Sequence, residues 1–244
     1  MRPLKDTGQL SKRVSDAVAH FWHTRQDQAS KQRSGEKRDQ GARGAVTGGA
    51  QMDGFIALLT DLIKEAGIAS PVIHRERALE LPGYFRPTKE WDLLVVDDKR
   101  LLAVIEAKSQ VGPSFGNNFN NRTEEAMGSA LDLWTAYREG AFLKSPQPWT
   151  GYIFVLEDCP GSRKPVSVKE PHFDVFPEFK GASYAKRYEL FCRKLVRERH
   201  YNASAFLLSE ADKGLSGQYT EPADDLAFIQ FASSLQAHVG AYAR

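Results

Sequence analysis

The sequence of 244 residues contains only two cysteines, which excludes a disulfide framework and a cysteine-rich zinc site. So few cysteines fit a reducing compartment. The longest apolar stretches are five to eight residues, well short of the roughly 20 that a membrane-spanning helix requires. No apolar stretch follows the charges at the N-terminus, so no secretory signal is predicted. We therefore expect a cytoplasmic protein without membrane segments.

The chain also lacks a strong excess of charge of either sign. Lysine and arginine number 33 against 31 aspartate and glutamate, and the net charge of +2 neither requires nor excludes a polyanionic partner. Apolar residues make up 41% of the chain, which is enough for a sizeable core. The sequence has no P-loop and no dinucleotide-binding fingerprint, so nucleotide hydrolysis is not indicated.

Hydrophobic periodicity changes between helical and strand-like along the chain. The predicted helices span residues 9–24, 52–63, 123–141, 184–195 and 223–242, and the predicted strands lie at 72–73, 93–96, 101–105, 151–156 and 205–208. Residues 25–49 contain only one large apolar residue and are predicted to form a flexible basic arm or surface loop. Because no repeat or linker divides the chain, we expect a single elaborated α/β domain over residues 1–244, with a mixed β-sheet flanked by helices.

Three side chains of types that serve in metal binding and catalysis flank the hairpin predicted for strands 93–96 and 101–105. Asp92 stands at the start of the first strand, and Glu106 and Lys108 stand at the end of the second. In an antiparallel hairpin these two ends lie side by side, and side chains two residues apart share a face. We therefore expect two carboxylates and one amine to converge at one edge of the sheet.

This trio suits the hydrolysis of phosphodiesters. Mg²⁺ prefers oxygen ligands, so Asp92 and Glu106 are predicted to hold the ion, with the backbone carbonyl of Ala107 as a further ligand. The ion activates water and offsets charge on the phosphate. Lys108 is predicted to orient that water or to stabilise the transition state, and a lowered pKa would suit it to base chemistry.

The three-residue pattern of an acid two positions before a lysine is weak on its own, because it occurs three times in this chain. The copy at 97–99 is explained by its turn, and the copy at 178–180 has no preceding strand. Only Glu106-Ala107-Lys108 ends a continuous apolar strand, which should lie in the middle of a sheet. The alternative is that Glu106 and Lys108 form an exposed pair beyond the buried part of the strand.

Asp92, the hairpin and Glu106-Ala107-Lys108 together resemble the PD-(D/E)XK nuclease superfamily, with its restriction-endonuclease-like core. The chain is also similar to the XhoI family of type II restriction endonucleases over the run EAKSQVGPSFGNNFNNR, residues 106–122. This similarity extends over essentially the whole chain. One departure is Trp91, which stands where the superfamily name has proline.

The resemblance implies a homodimeric, Mg²⁺-dependent enzyme that cuts double-stranded DNA at the palindrome CTCGAG. Attack by Mg²⁺-activated water would give 5′-phosphate ends and 5′ overhangs. The superfamily pattern makes Asp92 and Glu106 the metal ligands and Lys108 the catalytic lysine. A cognate DNA methyltransferase is implied as a genetic partner, because an unprotected genome would be cut.

A further upstream carboxylate is expected by the same resemblance, and four residues are available for it: Asp53, Glu65, Glu76 and Glu80. Glu76 is the first choice, because His74-Arg75-Glu76 continues a possible strand towards the same edge of the sheet. The alternative, a solvated charge between two arginines, stays open.

Two segments are candidates for DNA contact. The basic arm contributes Lys31, Arg33, Lys37, Arg38 and Arg43, within a stretch of 43 residues that carries ten basic side chains against five acids. The polar loop that follows the strand ending in Glu106-Ala107-Lys108 contributes Asn117, Asn118, Asn120, Asn121 and Arg122. In the major groove, amide side chains pair with adenine and arginine pairs with guanine. For the arm, the alternative is a tail that only increases solubility. For the loop, the alternative is that its glycines and asparagines serve only the backbone conformation of the loop.

Two other functions remain open from the sequence. A repair or junction-resolving nuclease of the same superfamily would read DNA shape rather than sequence. A DNA-binding protein without catalysis would use the acidic cluster only for structure.

Overall fold

A computed structural model of the protein describes residues 7–33 and 49–243. Seven α-helices occur in these ranges: α1 Thr7–Arg33, α2 Asp53–Glu65, α3 Phe115–Arg138, α4 Pro160–Arg163, α5 Tyr184–Arg197, α6 Ala211–Gly214 and α7 Phe228–Gly240. The strands are β1 Ile73–His74, β2 Glu80–Pro82, β3 Thr88–Glu90, β4 Leu93–Asp97, β5 Arg100–Gln110, β6 Trp149–Glu157 and β7 Ala203–Ser209. Short 3₁₀ turns lie at Ala50–Met52, Ser70–Val72, Pro177–Phe179 and Asp224–Leu226.

Five strands form one mixed sheet in the order β1-β4-β5-β6-β7. The pairs β1–β4 and β4–β5 are antiparallel, whereas β5–β6 and β6–β7 are parallel. The parallel pairs need crossover connections, and α3 and α5 provide them. The strands β2 and β3 form a separate antiparallel hairpin. As the apolar sequence of β5 predicts, this strand lies in the middle of the sheet.

Helices cover both faces of the sheet, so its strands are buried on both sides. One face packs under α1, α2 and α7 through side chains such as Ile105 and Ile153. On the other face, residues such as Phe154 and Phe206 pack against α3 and α5. The β2–β3 hairpin and the second half of α3 cover the β4–β5 end of that face. The predicted α/β fold with a mixed sheet between helices is confirmed.

The structure corrects two boundaries near the predicted DNA-contact segments. Residues 25–33, predicted as irregular, continue α1, because their glutamine, alanine, lysine and arginine residues are good helix formers and do not need burial. Residues 117–122, predicted as a loop, form the first turns of α3, which begins at Phe115. Phe115 and Phe119 anchor these turns by packing against the ring of Tyr184.

Two further differences concern the segment before the hairpin. The predicted strand stops at His74, so Glu76 lies beyond it. The β2–β3 hairpin was not predicted, because β3 has the sequence Thr-Lys-Glu and carries no apolar residue. Within the residues described, no helix is long and apolar enough to cross a membrane.

Candidate active site

The three predicted catalytic side chains lie together at the end of the β4–β5 hairpin. The Nζ atom of Lys108 is 2.9 Å from Oδ2 of Asp92 and 3.1 Å from Oε1 of Glu106. One ammonium group therefore donates to both carboxylates. The structure brings these side chains together and does not place Glu106 and Lys108 in an exposed pair.

The register of the hairpin produces this arrangement. Leu93 pairs with Ile105, so Asp92 lies directly beside the segment that follows Ile105. The backbone N–H of Asp92 donates to the carbonyl of Ile105 at 3.2 Å, and the N–H of Ala107 donates to Oδ2 of Asp92 at 2.8 Å. Glu106 and Lys108 share a face because side chains alternate along the strand.

Glu106 is an ionisable residue in the middle of the fold, with an exposed fraction of only 2%. Its Oε1 atom accepts from Lys108 and from Lys89, each at 3.1 Å, and its Oε2 atom accepts from the hydroxyl of Tyr201 at 3.3 Å. Burial alone would raise the pKa of Glu106, but Lys108 and Lys89 outweigh it and hold this pKa below its ordinary value. Glu106 is therefore an anion that two lysines stabilise.

Lys89 is the second cation of the site, and the sequence analysis missed it. Its side chain is 14% exposed, its Nζ atom lies 4.3 Å from the ring centroid of Trp91, and it also donates to the carbonyl of Glu90 at 3.0 Å. In the sequence, Lys89 stands three residues before Asp92, and this proximity is the only indication of its role. The short strand β3 that directs its side chain inward has no apolar pattern, so the sequence does not predict the contact with Glu106.

Lys108 is charged in this arrangement. Burial alone would lower its pKa, but the carboxylates of Glu106 and Asp92 outweigh burial and hold the pKa of Lys108 above its ordinary value. The lowered pKa considered from the sequence is therefore wrong for this state of the protein. The geometry favours Lys108 as a hydrogen-bond donor and positive charge rather than as a base.

An acidic cleft of about 750 Å³ opens on one side of Lys108. Asp92, Glu76 and Asp53 line it, and Asp53 is the first residue of α2. Burial raises the pKa of Asp53, with His20 and Arg75 opposing the rise and the carboxylates of Glu76 and Asp92 adding to it.

The four upstream carboxylates therefore divide into two groups. Asp53 and Glu76 lie in the acidic cleft, where Glu76 is well exposed and forms an ion pair with Arg75 at 3.4 Å. Glu65 instead pairs with Arg13 at 2.9 Å, and Glu80 is exposed on β2. Neither Glu65 nor Glu80 lines the acidic cleft. The choice of Glu76 as a ligand stays a prediction, and Asp53 is the alternative in the same cleft.

Asp92, in this cleft, and its neighbour Glu106, which does not line it, carry the carboxylate oxygens that a divalent cation prefers. Asp92 is about one-third exposed, and its Oδ1 atom accepts no hydrogen bond from any residue that the structure describes. Glu106 is held ionised although it is buried, and its Oε1 atom already contacts two cationic groups. In the ranges 7–33 and 49–243, no three His, Cys, Asp or Glu side chains approach closely enough to form a metal cluster by themselves.

Lys108 also lines a second cavity, of about 680 Å³, in which four basic side chains stand against four acidic ones, Glu106, Glu124, Glu125 and Asp132. Its basic lining residues are Arg86, Lys89, Lys108 and Arg122. Arg122 lines the acidic cleft as well, and it pairs with Glu125 at 2.6 Å. Of the predicted DNA-contact residues of α3, Arg122 is the one that lines cavities together with the three predicted catalytic residues.

The asparagines predicted to contact DNA are spread around the first turns of α3. Asn118 lies one helical turn before Arg122 and shares its face, and Asn120 and Asn121 are exposed. Asn117 is exposed and lines a third cavity, of about 960 Å³, that none of the catalytic trio lines. Asn118 is therefore the asparagine best placed to act with Arg122.

The predicted DNA-contact residues of the basic arm lie outside the part of the chain whose side chains the structure describes. Lys37, Arg38 and Arg43 lie outside the described residues. Lys31 and Arg33 belong to the last turn of α1, and their side chains are outside the described part as well. Their contact with DNA stays a prediction.

Comparison with known proteins gives consistent matches. The family model for the restriction endonuclease XhoI matches residues 31–221 of the chain. The chain is 58% identical over 215 residues to the type II restriction enzyme BstVI of Geobacillus stearothermophilus, which covers 86% of this chain and 95% of that protein. No solved structure gives a significant match.

Two further relatives carry the same type of name. The type II restriction enzyme XhoI of Xanthomonas vasicola is 51% identical over 182 residues, covering 73% of this chain and 72% of the relative. The type II restriction enzyme AbrI of Azospirillum brasilense is 53% identical over 163 residues, covering 66% of this chain and 73% of the relative. All three matches include most of the length of the relative.

Proposed function

This chain belongs to the XhoI family of restriction endonucleases, and from that premise we propose that it cuts double-stranded DNA at the palindrome CTCGAG in a Mg²⁺-dependent reaction. The palindrome and the metal come from the family resemblance. The observation that carries the catalytic assignment is the ammonium group of Lys108, which joins Asp92 and Glu106 at 2.9 and 3.1 Å.

Asp92, Glu106 and the backbone carbonyl of Ala107 would hold Mg²⁺, with Glu76 as a further candidate. When bound, the ion would supply a lowered pKa for water and positive charge near the reacting phosphate. Asp92 contributes a carboxylate whose Oδ2 atom is fixed by the N–H of Ala107. Glu106 contributes a buried carboxylate that Lys89 and Tyr201 hold in place.

Lys108 donates hydrogen bonds at the reacting centre. Its charge stabilises the negative charge that develops on the phosphate oxygens when water attacks phosphorus. The bond from phosphorus to the 3′ oxygen breaks, the 3′ oxygen leaves as a hydroxyl group, and the phosphate stays on the 5′ end. Because Lys108 is held in its protonated form, its role is to orient water and offset charge.

The substrate class, double-stranded DNA, follows from membership of a restriction endonuclease family. The cavity beside Lys108 offers the phosphate backbone three cations, Arg86, Lys89 and Arg122, which in the free protein pair with Asp132, Glu106 and Glu125. A palindromic site is read by a protein with two-fold symmetry, so we propose a homodimer in which each subunit cuts one strand. A cognate DNA methyltransferase that acts on the same site would protect the host genome.

A plasmid digest tests this function. Plasmids with one and with two CTCGAG sites are incubated with the purified protein, once with Mg²⁺ and once with a chelator, alongside the Asp92→Ala variant. We expect discrete fragments of the sizes set by the sites, only for the wild type with Mg²⁺. Cutting confined to branched DNA would indicate a junction nuclease instead, and normal cutting by Asp92→Ala would exclude the proposed mechanism.

A further inference from the structure

The turn between β2 and β3 carries two exposed aromatic side chains. Tyr84 is 54% exposed and Phe85 is 67% exposed, and their rings meet edge to face with centroids 5.0 Å apart. Single exposed apolar residues are common on protein surfaces, whereas apolar side chains that cluster beside a functional cavity mark a candidate contact surface. We call Tyr84 and Phe85 the aromatic tip.

The aromatic tip is held in a fixed position by a buried carboxylate. The Oδ1 atom of Asp132, in α3, accepts from the backbone N–H groups of Tyr84 and Phe85 at 2.7 and 2.8 Å, and its Oδ2 atom accepts from Nε of Arg86 at 2.7 Å. Gly83 passes so close that an added Cβ would lie 2.6 Å from Asp132 Oδ2. The backbone of the turn is therefore ordered before any partner arrives, which lowers the entropy cost of binding.

The position of Phe85 places the aromatic tip beside the predicted catalytic residues. Phe85 lines the second cavity together with Glu106 and Lys108. Any polymer that brings a phosphate to Lys108 through this cavity meets Phe85. The duplex of the proposed function is such a polymer, and an apolar ring fits the sugars and bases between its phosphates.

Resting on the proposed function, we propose that Tyr84 and Phe85 pack into a groove of duplex DNA beside the phosphate that is cut. The rings supply apolar contact with bases and sugars, while Arg122 and the lysines supply contact with phosphates. Contacts of the aromatic tip and contacts with phosphates therefore differ in how their contribution to affinity depends on salt. Its contribution to affinity does not depend on counterion release, so it is insensitive to salt.

The experiment measures binding of a CTCGAG duplex by fluorescence anisotropy at several salt concentrations, in the non-cutting Asp92→Ala background. We expect Tyr84→Ala with Phe85→Ala to weaken binding about tenfold or more, since burial of an exposed aromatic ring in an interface has an effect of that size. The slope of log affinity against log salt should stay unchanged. Arg122→Ala should instead reduce the magnitude of this slope by about one.

Two control variants test whether a loss of affinity is specific to the removal of the Tyr84 and Phe85 rings. Tyr84→Phe with Phe85→Tyr preserves both rings and should bind within about threefold of the background protein. Phe173→Ala removes a ring that is 89% exposed and lines none of the three cavities, and it should bind like the background protein. Tyr84, Phe85 and Phe173 are exposed, and Asp92 and Arg122 are each about one-third exposed, so we expect all variants to fold.

The outcomes separate this inference from the proposed function. If the wild type with Mg²⁺ fails to cut the CTCGAG duplex, the proposed function fails. If the wild type cuts and the double alanine variant binds as tightly as its background, the aromatic tip does not contact DNA. Weaker binding together with a change from dimer to monomer in light scattering would also overturn the inference, since the rings would then form a subunit contact.

Discussion

Replacement of Lys89 by methionine tests the electrostatic account of the buried site. Methionine keeps most of the apolar stem of the lysine and its packing on Trp91, but removes the ammonium group that lies 3.1 Å from Glu106. A hydrogen bond to a charged group contributes about 1.5–3 kcal/mol. Because Glu106 keeps Lys108 as a partner, we expect Lys89→Met to lower the free energy of unfolding by about 2 kcal/mol.

Urea denaturation followed by circular dichroism at neutral pH measures this change. For a protein of this size, about 2 kcal/mol corresponds to a fall in Tm of about 4–8 °C. The matched control is Lys99→Met, because Lys99 is an exposed lysine in the turn of the same hairpin, and its effect should stay within about 0.5 kcal/mol. The reasoning is refuted if Lys89→Met changes stability no more than Lys99→Met does.

The pH dependence of stability gives the same test a second readout. The pKa of folded Glu106 is held below its ordinary value of 4.5, so its ionised form contributes stability above that pH. This contribution is lost as the pH falls through the pKa of the folded state. Lys89→Met removes one cause of the low pKa, so the pKa of folded Glu106 moves closer to its ordinary value and the variant should lose less stability between neutral pH and strong acid than the wild type does.

Other predictions concern α3 and the packing of the sheet. Asp132→Ala removes the buried acceptor of three hydrogen bonds and should lower the free energy of unfolding by about 3 kcal/mol. The hydrogen bonds from Phe85, Arg86 and Tyr84 outweigh burial and hold the pKa of Asp132 below its ordinary value, so in the wild type this contribution should be lost only under strong acid. Gly151→Ala would place a Cβ 2.5 Å from the Trp149 ring and should cost about 2 kcal/mol in urea denaturation. Gly128→Ala, inside α3 with no atom within 4 Å, should instead raise stability by about 0.5–1 kcal/mol, and a loss there would contradict the open space at this position.

The central part of the fold is predictable because its pattern is local. Continuous apolar runs bounded by turn residues identify β4, β5, β6 and β7, and the charged turn identifies the β4–β5 hairpin. Once the hairpin is known, the meeting of Asp92 with Glu106 and Lys108 follows from strand geometry. The convergence of these three side chains is therefore the part of the candidate site that the sequence predicts best, and their catalytic role stays a prediction.

The remaining site residues depend on contacts between segments that are distant along the chain. Lys89 reaches Glu106 from a strand without apolar residues, and Tyr201 reaches it from the loop before β7. Asp132 has the appearance of a surface residue on a helix until the β2–β3 turn folds over it. The asparagines before Arg122 favour a loop by propensity, but Phe115 and Phe119 pack on α5 and extend the helix through them.

The most direct test of the catalytic assignment is the single-turnover cleavage rate of a CTCGAG duplex by Lys108→Met, measured beside its binding of the same duplex. If Lys108 offsets charge in the transition state, cleavage should fall by about a hundredfold or more, while binding changes by less than about tenfold. A cleavage rate within a few-fold of the wild type would contradict the account, because the ammonium group that joins Asp92 and Glu106 would then have no part in the reaction.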